Sequence, residues 1–265
     1  MNDPSHSDDR STRHVWSAGR YPAMAPNMLP AIARLINVAG IDPGNRVLDV
    51  GCGTGNAALT ARRAGAEVVG VDLAHGMLEL ARDNASLAGY DDIGWLTGDA
   101  ETLPVPDGAF DVVLSNFGHV FAPDSTQAGA ELCRVTRSGG RVCFTAWSPN
   151  GVVGDLTEVL TDHVAESPSD PWSHLQWGDP EFVREQFDGT DLSFQRRLLE
   201  FRYATPHHFW REFAEESGPL SPVLRQMDDD EARAALRRDA VAALEEWFGD
   251  NAIRVEYLQV RAVLE

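Results

Sequence analysis

The sequence predicts a doubly wound α/β fold with a mostly parallel sheet, and three observations carry that prediction. Strand-like and helix-like segments alternate five times within about the first 150 residues. The first strand-like run, Val47–Val50, ends in the loop Gly51-Cys52-Gly53-Thr54-Gly55-Asn56, whose alternate glycines permit a sharp turn and a close backbone approach. An acid, Asp72, stands 21 residues after Gly51 at the end of the second strand-like run, the spacing at which a carboxylate meets a ribose hydroxyl. In such sheets a ligand binds at the carboxyl ends of the strands.

The elements follow in order. Asn27–Ala39 reads as an amphipathic helix with Leu29, Ile32, Leu35, Ile36 and Ala39 on one face, Pro30 tolerated in the first turn and Gly40 as the stop. The glycine loop opens a helix over Ala57–Ala64. Glu67–Asp72 is the second strand, and His75–Ala88 is a helix with Met77, Leu78, Leu80, Ala81 and Ala85 inward. Ile93–Thr97 is the third strand. Leu103–Gly108 is a turn rich in proline. Phe110–Asn116 has the composition of a buried parallel strand. Asp124 caps a helix reaching about Arg137, and Gly139-Gly140 turns the chain into a fifth strand, Arg141–Trp147. Beyond it the rhythm loosens. Val152–Glu166 and Pro180–Phe187 read as helices, and Ser167–Gly178 as irregular. Leu192–Tyr203 reads as a strand, Pro206–Ser217 and Asp229–Phe248 as helices, and Ile253–Leu264 as the final strand.

The 265 residues carry 41 acids against 22 bases, a net charge of -19, and every base is arginine. A field of that sign repels nucleic acid and anionic membrane surfaces, so neither is an expected partner. The acids are spread along the chain, which fits a solvated surface adapted to high salt. No stretch has the length and apolarity of a membrane span. Cys52, Cys133 and Cys143 form no C-x-x-C pair, as in a reduced, cytoplasmic protein. Met1–Arg13 is polar without a signal-peptide core, and residues 1–14 are expected to form a frayed tail.

Taken together, these segments resemble the class I S-adenosylmethionine (SAM) dependent methyltransferases. Asp49-Val50-Gly51-Cys52-Gly53-Thr54-Gly55 is similar to their first motif, and Val69–Asp72 to the ribose-binding motif. Gly98-Asp99-Ala100-Glu101 is similar to the adenine-contacting segment, and Phe110–Ser115 to the fourth-strand motif. A closer likeness, through Trp16–Tyr21, Phe117–Asp124 and Phe144–Gly151, is to the branch with menaquinone and ubiquinone C-methyltransferases and many other small-molecule methyltransferases. The resemblance implies a Rossmann-like, seven-stranded sheet with helices on both faces and a helical lid inserted between the last two strands. It implies one domain over 15–265, with the cofactor core in 15–150 and the acceptor side, lid and last strands in 151–265.

Carried residue by residue, the resemblance gives the backbone of Gly51, Gly53 and Gly55 to the methionine and ribose parts of SAM, with Asp49 supporting the loop. Asp72 takes the ribose hydroxyls, Leu73 lies on the adenine, and Asp99 and the Ala100 amide contact its edge. Asn116 and Phe117 line the place where the methyl group emerges, and Tyr21 covers the cofactor. Methyl transfer from a sulfonium is an in-line displacement that needs alignment and water exclusion more than acid–base help. His119, just past the fourth strand, is the best placed candidate base, although a histidine satisfied by structure is favoured over it. His207 and His208 lack further ligands at metal spacing, so no metal site is expected. The expected partner is a small-molecule methyl acceptor, apolar or aromatic in view of the many late aromatics. Two alternatives stand beside this one. A nicotinamide-dependent oxidoreductase is disfavoured by Asn56 where its fingerprint needs glycine; the other is a SAM-binding protein without turnover.

Overall fold

The computed structural model describes residues 24–163, 172–217, 224, 227 and 229–265. The frayed tail expected at 1–14 and the covering residue Tyr21 lie outside them. The strands are β1 (Arg46–Val50), β2 (Glu67–Asp72), β3 (Gly94–Thr97), β4 (Phe110–Asn116), β5 (Thr136–Trp147), β6 (Asp191–Arg202), β7 (Phe248–Gly249) and β8 (Ala252–Val263). Seven of them form one sheet in the order β3-β2-β1-β4-β5-β8-β6, with the two-residue β7 pairing β8 off that path. β1 through β5 pair in parallel, and β8 runs antiparallel to β5. The chain leaves β1 in one direction to β2 and β3, then returns to its other side for β4. This reversal creates the crevice at which doubly wound sheets bind ligands.

Eight α-helices connect these strands among the described residues: α1 (Leu29–Ala39), α2 (Asn56–Arg63), α3 (His75–Ala88), α4 (Ser125–Val135), α5 (Val152–His163), α6 (Pro180–Gln186), α7 (Pro206–Trp210) and α8 (Asp230–Trp247). α1 starts with Pro30 in its first turn and stops at Gly40, whose φ of 57° suits a residue without Cβ. Its inward face is Ala31, Ile32, Leu35, Ile36 and Ala39. Leu29, expected on that face, is 46% exposed because it opens the helix, and Leu80 of α3 turns outward at 38%. β1 is buried along Val47–Val50, as a strand covered on both faces must be. Asp124 and Asp229 cap α4 and α8, each accepting backbone amides at the helix start.

One boundary differs from the sequence expectation. β5 begins at Thr136, where a helix end and a Gly139-Gly140 turn were expected. Thr136 pairs with Phe110, but the next pairs are Val112 with Arg141, so five steps along β5 face two along β4. The turn is present as a bulge within the strand, with Gly139 at φ 69°.

The chain separates into two compact units. The larger comprises Met28–Pro149, Asp170–Leu199 and Glu256–Glu265 and contains the glycine loop. Its core packs Leu48, Val50, Val113, Val142, Phe144, Trp177 and Phe187 against one sheet face. The smaller comprises Met1–Asn27, Asn150–Ser169 and Glu200–Val255. In it α5 lies along α8, joined by Trp247 Nε1 donating to Asp155 Oδ2 at 2.7 Å and by a 2.7 Å His163–Asp239 contact. The helices inserted between β6 and β8 are α7, a π-helical stretch Arg211–Ser217, and α8.

Candidate functional site

The glycine loop holds its shape through main-chain and carboxylate contacts. Gly51, Gly53 and Gly55 all have positive φ, at 65°, 52° and 83°. Gly51 requires its missing side chain twice over: a Cβ there would come within 2.6 Å of the Gly118 Cα. The β1–α2 loop and the end of β4 therefore touch backbone to backbone. The loop's amides are also anchored, since Gly51 N and Cys52 N both donate to Val71 O, at 2.8 and 3.0 Å.

Two carboxylates organise this edge. Asp49, 1% exposed, accepts the Ala58 amide at 2.8 Å and so ties β1 to the first turn of α2. Burial pushes its carboxyl up to about 7, against the lowering effect of that hydrogen bond. Asp72, partly buried, ends β2. Its Oδ2 accepts Gly53 N at 2.7 Å and its Oδ1 accepts Ala74 N at 2.8 Å. Burial raises its pKa as well, opposed by those two amides.

The Asp99 turn joins the same edge. Gly98 N donates to Asp72 O at 3.1 Å, and Asp99 Oδ1 accepts Glu101 N at 2.9 Å. Leu73 and Ala100 are half-buried beside it. From β4, Asn116 accepts the Thr145 hydroxyl at 3.1 Å. Phe117 follows with φ 57°, a left-handed conformation uncommon for an aromatic residue. Its ring stacks on Trp147 with centroids 4.0 Å apart.

The structure thus brings Asp49, Gly51, Gly53, Gly55, Asp72, Leu73, Asp99 and Ala100 to one edge, with Asn116 and Phe117 joined to it through Gly118. His119 does not face a mouth. Its ring is 1% exposed and packs edge-on against Phe144 and Trp177 at centroid distances of 4.7 and 4.5 Å. Neither ring nitrogen has a hydrogen-bond partner among the described residues, and burial lowers its pKa to about 3. Among the described residues no group of three or more His, Cys, Asp or Glu side chains could hold a metal ion.

Sequence reasoning missed Gly118 and Ser115. The Ser115 hydroxyl donates to Val50 O at 2.8 Å and accepts the His119 amide at 2.9 Å, locking β1 to the turn after β4. A glycine directly after a strand end was the available signal for Gly118; nothing local marks Ser115, because its partner is 65 residues away.

Comparison with known proteins gives the following. Residues 48–144 match the family model described as a methyltransferase domain. Aklanonic acid methyltransferase DauC of Streptomyces sp. (strain C5) is 33% identical over 190 residues, covering 69% of this chain and 86% of that protein. An uncharacterized protein of Mycobacterium bovis is 33% identical over 251 residues, covering 93% of this chain and 91% of the other. Phosphoethanolamine N-methyltransferase 2 of Haemonchus contortus, solved with S-adenosyl-L-methionine, shares the fold: TM-score 0.54 and 19% identity, over 89% of this chain and 52% of that one.

Proposed function

The chain belongs to the class I SAM-dependent methyltransferases, and on that premise we propose that the Gly51–Gly55 loop, Asp72 and the Asp99 turn hold the cofactor while Asn116 and Phe117 border the point of methyl delivery. It is an enzyme that uses SAM and acts on small molecules. The observation that carries the site is the wiring of Asp72. Each carboxylate oxygen already accepts one backbone amide. A carboxylate has about four acceptor positions, so each oxygen keeps one free, and a pair of adjacent free acceptors matches the vicinal hydroxyls of a ribose.

The other residues take supporting parts. Asp49 is shut away from solvent and shapes the loop through the Ala58 amide. Asp99 and the Ala100 amide stand where an adenine edge would be read, with Leu73 against its face. Gly51 and Gly118 must both stay small to let the loop meet the end of β4. When bound, SAM supplies a methyl group already carried by a good leaving group. The residues around it need to orient the acceptor and exclude water. His119 is not the base in this proposal, because its ring is enclosed by aromatic side chains and held neutral.

The cluster of Phe117, Trp147 and Tyr257 favours an acceptor with apolar or aromatic character, and a relative named for aklanonic acid supports an organic acceptor. The all-arginine, strongly acidic composition supports a protein adapted to high salt. Three free cysteines support a reducing, cytoplasmic setting. The test is incubation with methyl-labelled SAM and a panel of phenols and carboxylic acids. Label should move to at least one small molecule, and calorimetry should show SAM binding without NAD(H) binding. Binding of NAD(H) with none of SAM would end the proposal.

A further inference from the structure

Two tiers of side chains line one sheet face at the carboxyl ends of β4 and β5. Asn116 pairs in register with Thr145, and Thr145 with Gln259 of β8. Directly paired residues share a face, so these three polar side chains form a row across three strands. Two residues along, Trp147 pairs with Tyr257 on that same face. Phe117 completes the upper tier, stacked on Trp147 at 4.0 Å with 15° between planes and edge-on to Tyr257 at 5.7 Å. The result is a polar row beside an aromatic wall.

Within the row one member has no partner. Thr145 donates to Asn116, but Gln259 is 1% exposed and both its Oε1 and Nε2 are buried without a hydrogen bond. A buried amide that leaves donor and acceptor unpaired is a considerable cost, and native proteins rarely retain one without a reason. Neighbouring strands lie about 4.8 Å apart, so Gln259 stands roughly 10 Å across the sheet from Asn116, on the side away from the glycine loop. That position is two strands farther from the glycine-loop edge than Asn116.

We propose that Gln259 is a specificity residue for the methyl acceptor, and that the acceptor is a planar aromatic molecule carrying a ring hydroxyl or carbonyl. The ring lies against the half-buried Trp147, itself stacked on Phe117 and paired with the buried Tyr257, and its oxygen pairs with the Gln259 amide, which can donate to a carbonyl or accept from a hydroxyl. This rests on the methyltransferase assignment and on Asn116 and Phe117 bordering the point of methyl delivery.

The test uses 2-naphthol and naphthalene as probes, measured by equilibrium dialysis against the protein saturated with S-adenosylhomocysteine. Wild type should bind 2-naphthol about tenfold more tightly than naphthalene, one hydrogen bond's worth. Gln259→Leu should lose that preference and bind both alike. The melting temperature of ligand-free Gln259→Leu should equal or exceed that of wild type, because an unpaired buried amide is removed. Failure of 2-naphthol to bind wild type, equal binding of the two probes there, a preference that survives Gln259→Leu, or a lowered melting temperature would each overturn the proposal. S-adenosylhomocysteine binding in the same samples separates the two levels. Its loss in wild type counts against the cofactor site itself, whereas intact binding with the wrong probe result counts only against Gln259.

Discussion

Asp49 and His119 are equally hidden, each 1% exposed, yet they are wired in opposite ways. Asp49 sits under the glycine loop with its carboxylate bonded to the Ala58 amide. His119 follows the end of β4, its ring nitrogens without a hydrogen-bond partner among the described residues and its ring edge-on to Phe144 and Trp177. Burial pushes both toward the neutral form, the acid up to about 7 and the imidazole down to about 3. The difference teaches that depth alone does not mark a working residue. Here the carboxyl that orders a backbone amide supports the glycine-loop edge, whereas the imidazole, packed against the Phe144 and Trp177 rings, is a core side chain whose charge has been suppressed.

The sharpest way to break this contrast is at Asp72, the partly buried carboxylate that orders the Gly53 and Ala74 amides on the same edge as Asp49. Asp72→Ala removes the acceptor for Gly53 N and Ala74 N together with two free acceptor positions. SAM affinity should fall by about 10- to 10³-fold in calorimetry, with the protein still folded by circular dichroism. Unchanged affinity would place the cofactor elsewhere.

Next in size are two opposite pH slopes. For Asp49 the folded pKa lies above the unfolded value, so the folded state holds the extra proton between about pH 4 and 7. Its contribution to stability therefore falls as pH rises through that window, on the order of 1 kcal/mol per pH unit. Asp49→Asn keeps an acceptor for Ala58 and should remove this slope, gaining stability over wild type as pH goes from 4.5 to 7.5. For His119 the folded pKa lies below the unfolded one, so protons favour the unfolded chain between about pH 6.5 and 3. Stability is lost on acidification through that range. His119→Phe should be relatively more stable at pH 5 than at pH 7.5, and its kcat at pH 7.5 should stay within about threefold of wild type. A loss of about 100-fold, typical of a missing general base, would restore His119 to the chemistry.

Much of this was legible in the sequence, for identifiable reasons. β2, β4 and α3 have the bounds that their composition predicted, because each is a continuous apolar or amphipathic run with a clear stop. The glycine loop and Asp72 were visible because a fixed spacing serves one local geometry. What stayed hidden depends on contacts between distant segments. Gly118 matters only because Gly51 is folded against it. Gln259 looks like any strand residue until its register with Thr145 is known. His119 looked well placed because sequence gives its position after β4 but not the direction of its ring. The bulge at Gly139 was foreseen as a turn, since the glycines signal the bend but not that pairing resumes on both sides.

The smallest effect expected is on the surface. A net charge of -19 should make the compact state self-repelling in dilute buffer, so the melting temperature should rise by a few degrees, roughly, between low salt and molar KCl. Because Asp49 and His119 are both buried, this rise should be the same in Asp49→Asn and His119→Phe. A flat or falling curve would count against adaptation to high salt.

The central claim is that the glycine-loop edge is the cofactor site and that Asp72 reads the ribose there. A crystal structure of the complex with S-adenosylhomocysteine tests it most directly. Both ribose hydroxyls should lie at about 2.5–2.7 Å from the Asp72 carboxylate, with the Gly53 and Ala74 amides still bonded to it and the adenine edge at Asp99. A cofactor bound away from Asp72, or one that displaces those amides from the carboxylate, would contradict the account.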